Sequence, residues 1–209
     1  MNKIKKEKLA IIVWLTIFFS VFIWSVIKPY DYLTWFLEIF PAIIGIIILA
    51  LTYKKFKLTP LLYWFILFHM IILMIGGHYT YARTPIGEWI KIFGFDRNHY
   101  DRIGHLFQGI VPVLIAREIF IRKNIIKKNW IFVIAVSIVL TVAVLYEFLE
   151  WGTALAAKES ATDFLGTQGD VWDTQTDMFL AAIGAIISLL LFSKLQDKQI
   201  KNSKKWKND

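Results

Sequence analysis

The sequence predicts an all-α, polytopic membrane protein with six transmembrane helices and both termini in the cytoplasm. Hydrophobic residues make up 57% of the chain and charged residues only 19%, a composition typical of integral membrane proteins. The apolar residues are gathered in six runs, each close to the roughly 20 residues that a helix needs to cross a bilayer. Lysine and arginine clusters occur at every second connection, as expected when those connections stay in the cytoplasm.

The six runs are predicted to form one transmembrane domain, residues 1–193, followed by a basic cytoplasmic tail, residues 194–209. The first run follows several lysines and so resembles a signal peptide. It is longer than the roughly 7–15 apolar residues of a signal-peptide core, and no small-residue cleavage site follows, so we expect a retained helix. The predicted spans are residues 9–27, 33–53, 60–76, 103–121, 130–151 and 176–192.

The orientation follows from the distribution of basic residues. The N-terminus, the second and fourth connections and the tail are lysine-rich and are predicted to be cytoplasmic. The connections that alternate with them, residues 28–32, 77–102 and 152–175, are then extracytoplasmic.

The net charge of +8 does not predict nucleic-acid binding. Most of the lysines lie in short runs beside apolar segments, which is typical of membrane-flanking loops. The chain has no cysteine, which excludes disulfides, zinc–thiolate sites and cysteine nucleophiles. The predicted partner is the lipid bilayer, and the oligomeric state stays open.

Two glutamates, Glu147 and Glu150, end the fifth apolar run, and their three-residue spacing places them on one face of a helix. An ionised side chain at the centre of a membrane helix costs about 2.5–3.5 kcal/mol on insertion scales, and such groups usually face a protein interior. Three ways of offsetting the cost of two carboxylates in a membrane helix stay open. They are protonation of one or both carboxyls, pairing with Arg83, Arg102 or His105, and binding of a metal ion.

Aspartates and a histidine at the starts of two other spans lie at the same predicted depth. Asp101 and His105 are four residues apart and share a helix face, as do Asp173 and Asp177. These aspartates could equally be ordinary helix N-caps, and His105 a hydrogen-bonded structural residue. Carboxylates with one imidazole suit Mn, Fe or Zn, whereas an all-oxygen subset suits Mg or Ca. The candidate ligands of a divalent metal cofactor are Asp101, His105, Glu147, Glu150, Asp173 and Asp177, and the candidate catalytic residues are Glu147, Glu150, His105 and Asp101.

Further polar residues near this boundary are candidate substrate-binding residues, because arginine can hold a phosphate or another anionic headgroup. This set consists of His78, Tyr81, Arg83, Arg102, Gln108, Gln168, Asp170 and Gln175. His69, alone in the third span, is interpreted as structural. Arg117 lies near the predicted cytoplasmic face and is interpreted as reaching to the interface.

Three sequence blocks carry a resemblance to a known family. They read NHYDRIGH at 98–105, YEFLEW at 146–151 and GTQGDVWDTQTDM at 166–178, and they resemble the signature blocks of the YjdF-type inner-membrane proteins. The likeness covers most of the chain from about 76 to 190. It implies a multi-spanning protein of the bacterial plasma membrane and no established activity.

A looser resemblance is to the VanZ-like proteins. Asp101, Arg102 and His105 match the Asp-(Lys/Arg)-x-x-His part of their pattern, and Glu147 or Glu150 matches the glutamate helix. Asp173 or Asp177 with Gly184 would match the third part, whereas the turn at 166–170 departs from it. This resemblance implies only the location of the site.

Three functions stay open after these observations. The first is an enzyme that acts on a lipid-linked or envelope substrate at the outer leaflet through metal or acid–base chemistry. The second is an ion-coupled transporter, and the third is a structural or partner-binding protein. The polar residues are concentrated on one side of the membrane, which favours an enzyme or binding protein over a conduit. Polar contacts between membrane helices average only about 0.6 kcal/mol, so a site is favoured over a purely structural clamp.

Overall fold

The computed structural model describes residues 3–91, 94, 97–157 and 168–205, and this part of the chain is helical without any strand. Short 3-10 turns occur at Tyr81–Arg83 and Lys128–Trp130. The helices are α1 Lys3–Val26, α2 Tyr32–Thr52, α3 Pro60–Tyr79, α4 Pro85–Lys91, α5 Tyr100–Lys123, α6 Ile131–Ala157 and α7 Asp173–Lys205. Among the described residues, all of these except α4 are long and apolar enough to cross a membrane. The predicted class, an all-α protein with six spans, is confirmed, while the orientation of the termini stays a prediction.

Local sequence signals set several of the helix ends. Asp31 caps α2, because its side chain accepts a hydrogen bond from the Thr34 backbone N–H at 2.6 Å. Pro60 occupies the first turn of α3, where its missing N–H leaves no intrahelical bond unmade. Asn124 ends α5 in the left-handed conformation, with φ of 52°, a common helix terminator.

Two helices run further than the apolar pattern indicates. α6 continues to Ala157, so Glu147 and Glu150 lie within the helix rather than at its last turn. α7 continues to Lys205, and Gln196 and Ile200 are buried. The predicted basic tail therefore begins as a helical extension of the last span that packs through Gln196 and Ile200. The residues 158–167, which include the start of the predicted 166–170 turn, and residues 206–209 lie outside the described part.

The helices α5 and α7 touch backbone to backbone. A Cβ added to Gly109 would lie 2.0 Å from the Ala181 carbonyl oxygen, and one added to Gly184 would lie 2.2 Å from the Leu106 carbonyl oxygen. Small residues at membrane-helix interfaces allow this close approach. The glycine pair therefore fixes the distance between the N-terminal turns of α5 and α7.

The bundle has two ends of different chemistry. We call the end that holds the first turns of α5 and α7 the acidic end, and the end that holds the 53–59 and 124–130 connections the basic end. By the charge pattern, the acidic end is the predicted extracytoplasmic one.

The basic end contains a buried polar network. It corrects the interpretation that the Arg117 side chain reaches to the membrane interface. Arg117 is only 9% exposed and donates to Gln196 and Asp197 on α7, both at 2.8 Å. Glu118 beside it is fully buried and accepts from the backbone and hydroxyl of Thr59. Arg117 and Glu118 therefore tie α7 and the start of α3 to α5.

Candidate metal centre

Three side chains from two helices converge at the acidic end. Asp101 and His105 project from the first turns of α5, and Asp177 projects from α7. His105 Nε2 is 3.4 Å from Asp101 Oδ1 and 3.9 Å from Asp177 Oδ2. One potential ligand atom from each residue lies within 4.8 Å of the others, and all three residues are buried. Two carboxylates and one imidazole nitrogen thus surround a small common volume.

The imidazole of His105 is oriented by a second residue of α5. Its Nδ1 is 2.8 Å from Gln108 Oε1, an acceptor, so Nδ1 carries the proton of this hydrogen bond. In the neutral ring, the Nε2 lone pair then points toward Asp101 and Asp177. Metal-binding histidines almost always have such a partner on the other ring nitrogen. Gln108, predicted to bind substrate, is placed to fix the histidine.

Two buried carboxylate oxygens at this place have no hydrogen-bond partner among the described residues. They are Asp177 Oδ1 and Glu147 Oε1. Asp177 is 2% exposed and Glu147 is 6% exposed. An unpaired buried carboxylate oxygen is costly, because it gives up hydration without replacement. A cation held by Asp101, His105 and Asp177 would satisfy the Asp177 oxygen, whereas Glu147 is not one of these three residues.

The glutamate pair on α6 faces the same cluster. Glu147 and Glu150 are both buried, and both interact electrostatically with Asp101 and His105. Asp173 differs from the other predicted ligands, because it pairs with Arg97.

Sequence reasoning missed Glu38, a further buried acid. Glu38 lies on α2, is 3% exposed, and interacts electrostatically with Asp101 and His105. The Tyr146 hydroxyl is 3.4 Å from Glu38 Oε2. A single carboxylate inside the 33–53 apolar run indicated a candidate site residue, because a charged residue in a membrane helix usually faces the protein interior and marks a functional site.

Tyr81, a predicted substrate-binding residue, lies near Glu38. It packs on Gly76 and Gly104, where an added Cβ would come within 2.6 Å and 3.1 Å of its ring. Burial, followed by the charge of Glu38, raises the pKa of Tyr81 well above its usual value. The hydroxyl is therefore a neutral donor beside Glu38.

An arginine pair lies beside the cluster and holds the Asp170 carboxylate. Asp170 Oδ2 is 3.1 Å from Arg97 Nη1 and 2.6 Å from Arg102 Nη2. A hydrogen bond from the Trp172 backbone N–H, together with the two arginines, lowers the pKa of Asp170. Burial alone would lower the pKa of Arg97, but its pairing with Asp173 raises it. Arg97 was not among the predicted residues, since a single arginine in a long connection carries no spacing signal.

The remaining predicted binding residues are not part of the Asp101–His105–Asp177 cluster. His78 packs against Trp24 with tilted rings whose centroids are 4.3 Å apart, and Arg83 lies over the Tyr30 ring at 4.3 Å. Gln175 is exposed on α7.

Gln168 has a structural contact that the sequence did not indicate. Its side chain accepts from the Asn98 backbone N–H and donates to the Asn98 carbonyl, both at 2.9 Å. Asn98 is fully buried and bonds further to Thr84, Glu88 and the Tyr100 N–H. This network joins the 168–172 segment to the start of α5 and so positions Asp170.

Comparisons with known proteins agree with the fold. Residues 10–198 match the family described as "Predicted membrane protein (DUF2238)". The chain belongs to this family. It is also 43% identical over 186 residues to the inner membrane protein YjdF of Escherichia coli (strain K12), covering 87% of this chain and 88% of that protein. The family, this relative and the six spans place the chain among the multi-pass proteins of the bacterial inner membrane.

The comparisons bear out the YjdF-type resemblance of the three sequence blocks. They do not show a likeness to VanZ-like proteins, which stays a hypothesis. No solved structure matches the chain.

Proposed function

We propose that the protein is a metal-dependent membrane enzyme that acts on a lipid-linked or envelope substrate with an anionic headgroup. The observation that carries this proposal is the convergence of Asp101, His105 and Asp177 within 4.8 Å. The buried oxygen Asp177 Oδ1, which lacks a hydrogen-bond partner among the described residues, supports it independently.

The donor set favours a transition metal over magnesium or calcium. One imidazole nitrogen with two carboxylates suits Zn²⁺, Mn²⁺ or Fe²⁺, whereas Mg²⁺ and Ca²⁺ prefer oxygen ligands alone. Three protein ligands are also the number found in catalytic zinc sites, which keep one position for water or substrate. The reaction class that such a site supports is hydrolysis.

The glutamates supply the acid–base groups of this proposal. A bound metal would lower the pKa of its water, and Glu147 or Glu150 would accept the released proton as a general base. Both carboxylates face the cluster from α6 and are buried with it. Glu38 with the Tyr146 hydroxyl is a third candidate for proton transfer.

The arginine pair suggests the charge of the substrate. Arg97 and Arg102 already hold one anion, the Asp170 carboxylate, beside the cluster. Guanidinium groups bind phosphate and carboxylate with the same fork of donors. A phosphate-bearing headgroup that exchanges with Asp170 would therefore lie next to the metal.

Metal content tests the proposal. The protein purified without chelator should retain about one transition-metal ion per chain by inductively coupled plasma mass spectrometry. His105→Ala and Asp177→Asn should lose this ion, while the matched variant His78→Ala should keep it, because His78 packs on Trp24. Metal-free, folded wild-type protein that takes up no metal on titration would contradict the proposal.

An ion-coupled transporter is the second candidate, and one observation favours it. His69, in the middle of α3, interacts electrostatically with His105 and so extends the polar groups toward the bilayer centre. Metal or proton flux into liposomes, lost in His69→Ala but not in His78→Ala, would favour transport over catalysis.

A further inference from the structure

A groove at the basic end is separate from the metal centre. It lies between the end of α5, the start of α6 and the extension of α7, and has a volume of about 520 Å³. Its floor is apolar, with Phe120, Ile131 and Leu189 among the lining residues. The α7 extension forms one of its walls, and this wall exists only because the helix continues past the last apolar run.

The mouth of the groove is cationic. Lys128 and Lys201 line it and are exposed, and the buried Arg117 also lines the groove. Among the described residues that line the groove, the one carboxylate is Asp197, which is paired with Arg117 at 2.8 Å. The two lysines therefore give the mouth a net positive charge.

The groove also lies at headgroup depth. Trp130, 58% exposed, stands beside the mouth at the start of α6, and exposed tryptophans of membrane proteins concentrate at the interface. Toward the membrane, the lining continues into the exposed apolar side chains Phe132 and Leu190. The polarity thus changes from cationic to apolar along the direction of a lipid molecule.

We propose that this groove binds an anionic phospholipid, with the phosphate at Lys128 and Lys201 and an acyl chain along Phe132 and Leu190. Basic pockets between transmembrane helices bind anionic lipid headgroups by this combination of charges. A protein partner is less suited, because the apolar half of the groove faces the bilayer rather than water. Bound lipid would join α5, α6 and α7 at the basic end, opposite the metal centre.

Native mass spectrometry of the detergent-solubilised protein with added phosphatidylglycerol tests this proposal. The double variant Lys128→Ala/Lys201→Ala should weaken phosphatidylglycerol binding by about 30-fold, roughly fivefold for each lysine. Binding of phosphatidylcholine should be weaker in the wild type and unchanged in the variant. The matched control Lys54→Ala/Lys55→Ala removes two exposed lysines of the same end that do not line the groove, and it should bind phosphatidylglycerol like the wild type.

Two results would overturn the proposal. One is an unchanged affinity for phosphatidylglycerol in the Lys128/Lys201 variant. The other is an equal loss in the Lys54/Lys55 control, which would show general attraction to a basic surface. If the double variant does not fold, the single change Lys201→Gln at its exposed position carries the test, with an expected loss of about fivefold.

Discussion

His105 on α5 and Asp177 on α7 face each other across the helix interface, with 3.9 Å between His105 Nε2 and Asp177 Oδ2. The approach depends on Gly109, one turn deeper on α5, and Gly184, two turns deeper on α7, which let the two backbones touch. Packing in the membrane interior thus determines the geometry of the polar cluster above it.

Gln108→Ala should weaken metal binding without removing a ligand. The Gln108 side chain holds His105 Nδ1 at 2.8 Å, and loss of such a partner typically costs about 10–100-fold in metal affinity. Titration of metal-free protein with Zn²⁺ or Mn²⁺ in a calorimeter measures the change. Gln175→Ala, an exposed glutamine on α7, is the control and should leave the affinity unchanged. Equal affinities for Gln108→Ala and wild type would exclude this orienting role.

Gly184→Val should force α5 and α7 apart. Its Cβ would lie 2.2 Å from the Leu106 carbonyl oxygen, and backbone cannot yield as a flexible side chain does. Overpacking costs about 1–3 kcal/mol of unfolding free energy, and the metal affinity should fall together with the stability. Gly152→Val is the matched control, since a Cβ there meets nothing within 4 Å. Thermal unfolding in detergent compares the two variants, and similar losses in both would refute the packing argument.

Glu147→Gln should raise the stability of metal-free protein and lower the stabilisation by added metal. The substitution removes one of several like charges around Asp101 and Asp177, and repulsion among them is relieved in the absence of a cation. A purely structural clamp predicts the opposite for metal-free protein, a loss of about 0.6 kcal/mol. The measurement is the unfolding temperature of Glu147→Gln and of the wild type, with and without a chelator. A lower unfolding temperature of the variant than of the wild type in the presence of chelator would support the clamp.

The Asp170–arginine contacts should stabilise the fold only above mildly acidic pH. The folded-state pKa of Asp170 is lowered by the Trp172 N–H and by Arg97 and Arg102. The contribution is therefore fully present above the unfolded-state pKa, about 3.9, and is lost as the pH falls through the lower folded-state value. Asp170→Asn should unfold at a lower temperature than wild type at pH 6, and the difference should shrink below about pH 4. A difference that is constant from pH 6 to pH 3 would show that the charge of Asp170 contributes nothing.

The sequence predicted the parts of the fold that depend on local pattern. Apolar runs near 20 residues indicate spanning helices, and the four-residue spacing of Asp101 and His105 indicates a shared face, as the structure has it. The extension of α7 to Lys205 was missed because the burial of Gln196 and Ile200 depends on α5, which is distant in sequence.

The convergence of Asp101, His105 and Asp177 was predictable from helix spacing and depth, and the contacts of the other polar residues were less so. Asp173 was grouped with the metal ligands, but its neighbour in space is Arg97, which lies in a connection without periodicity. Glu38 reaches the cluster from α2. Contacts of this kind depend on which helices pack together, and apolar patterns alone do not specify that choice.

X-ray absorption at the edge of a metal bound to the wild-type protein would identify its ligands. If Asp101, His105 and Asp177 hold the metal, its first shell contains one imidazole nitrogen and carboxylate or water oxygens at about 2.0–2.2 Å, as expected for a zinc site. In His105→Ala the imidazole contribution should disappear, and in His78→Ala it should stay. A metal shell without imidazole in the wild-type protein, or the same imidazole shell in His105→Ala, would contradict the assignment of Asp101, His105 and Asp177 as the metal centre.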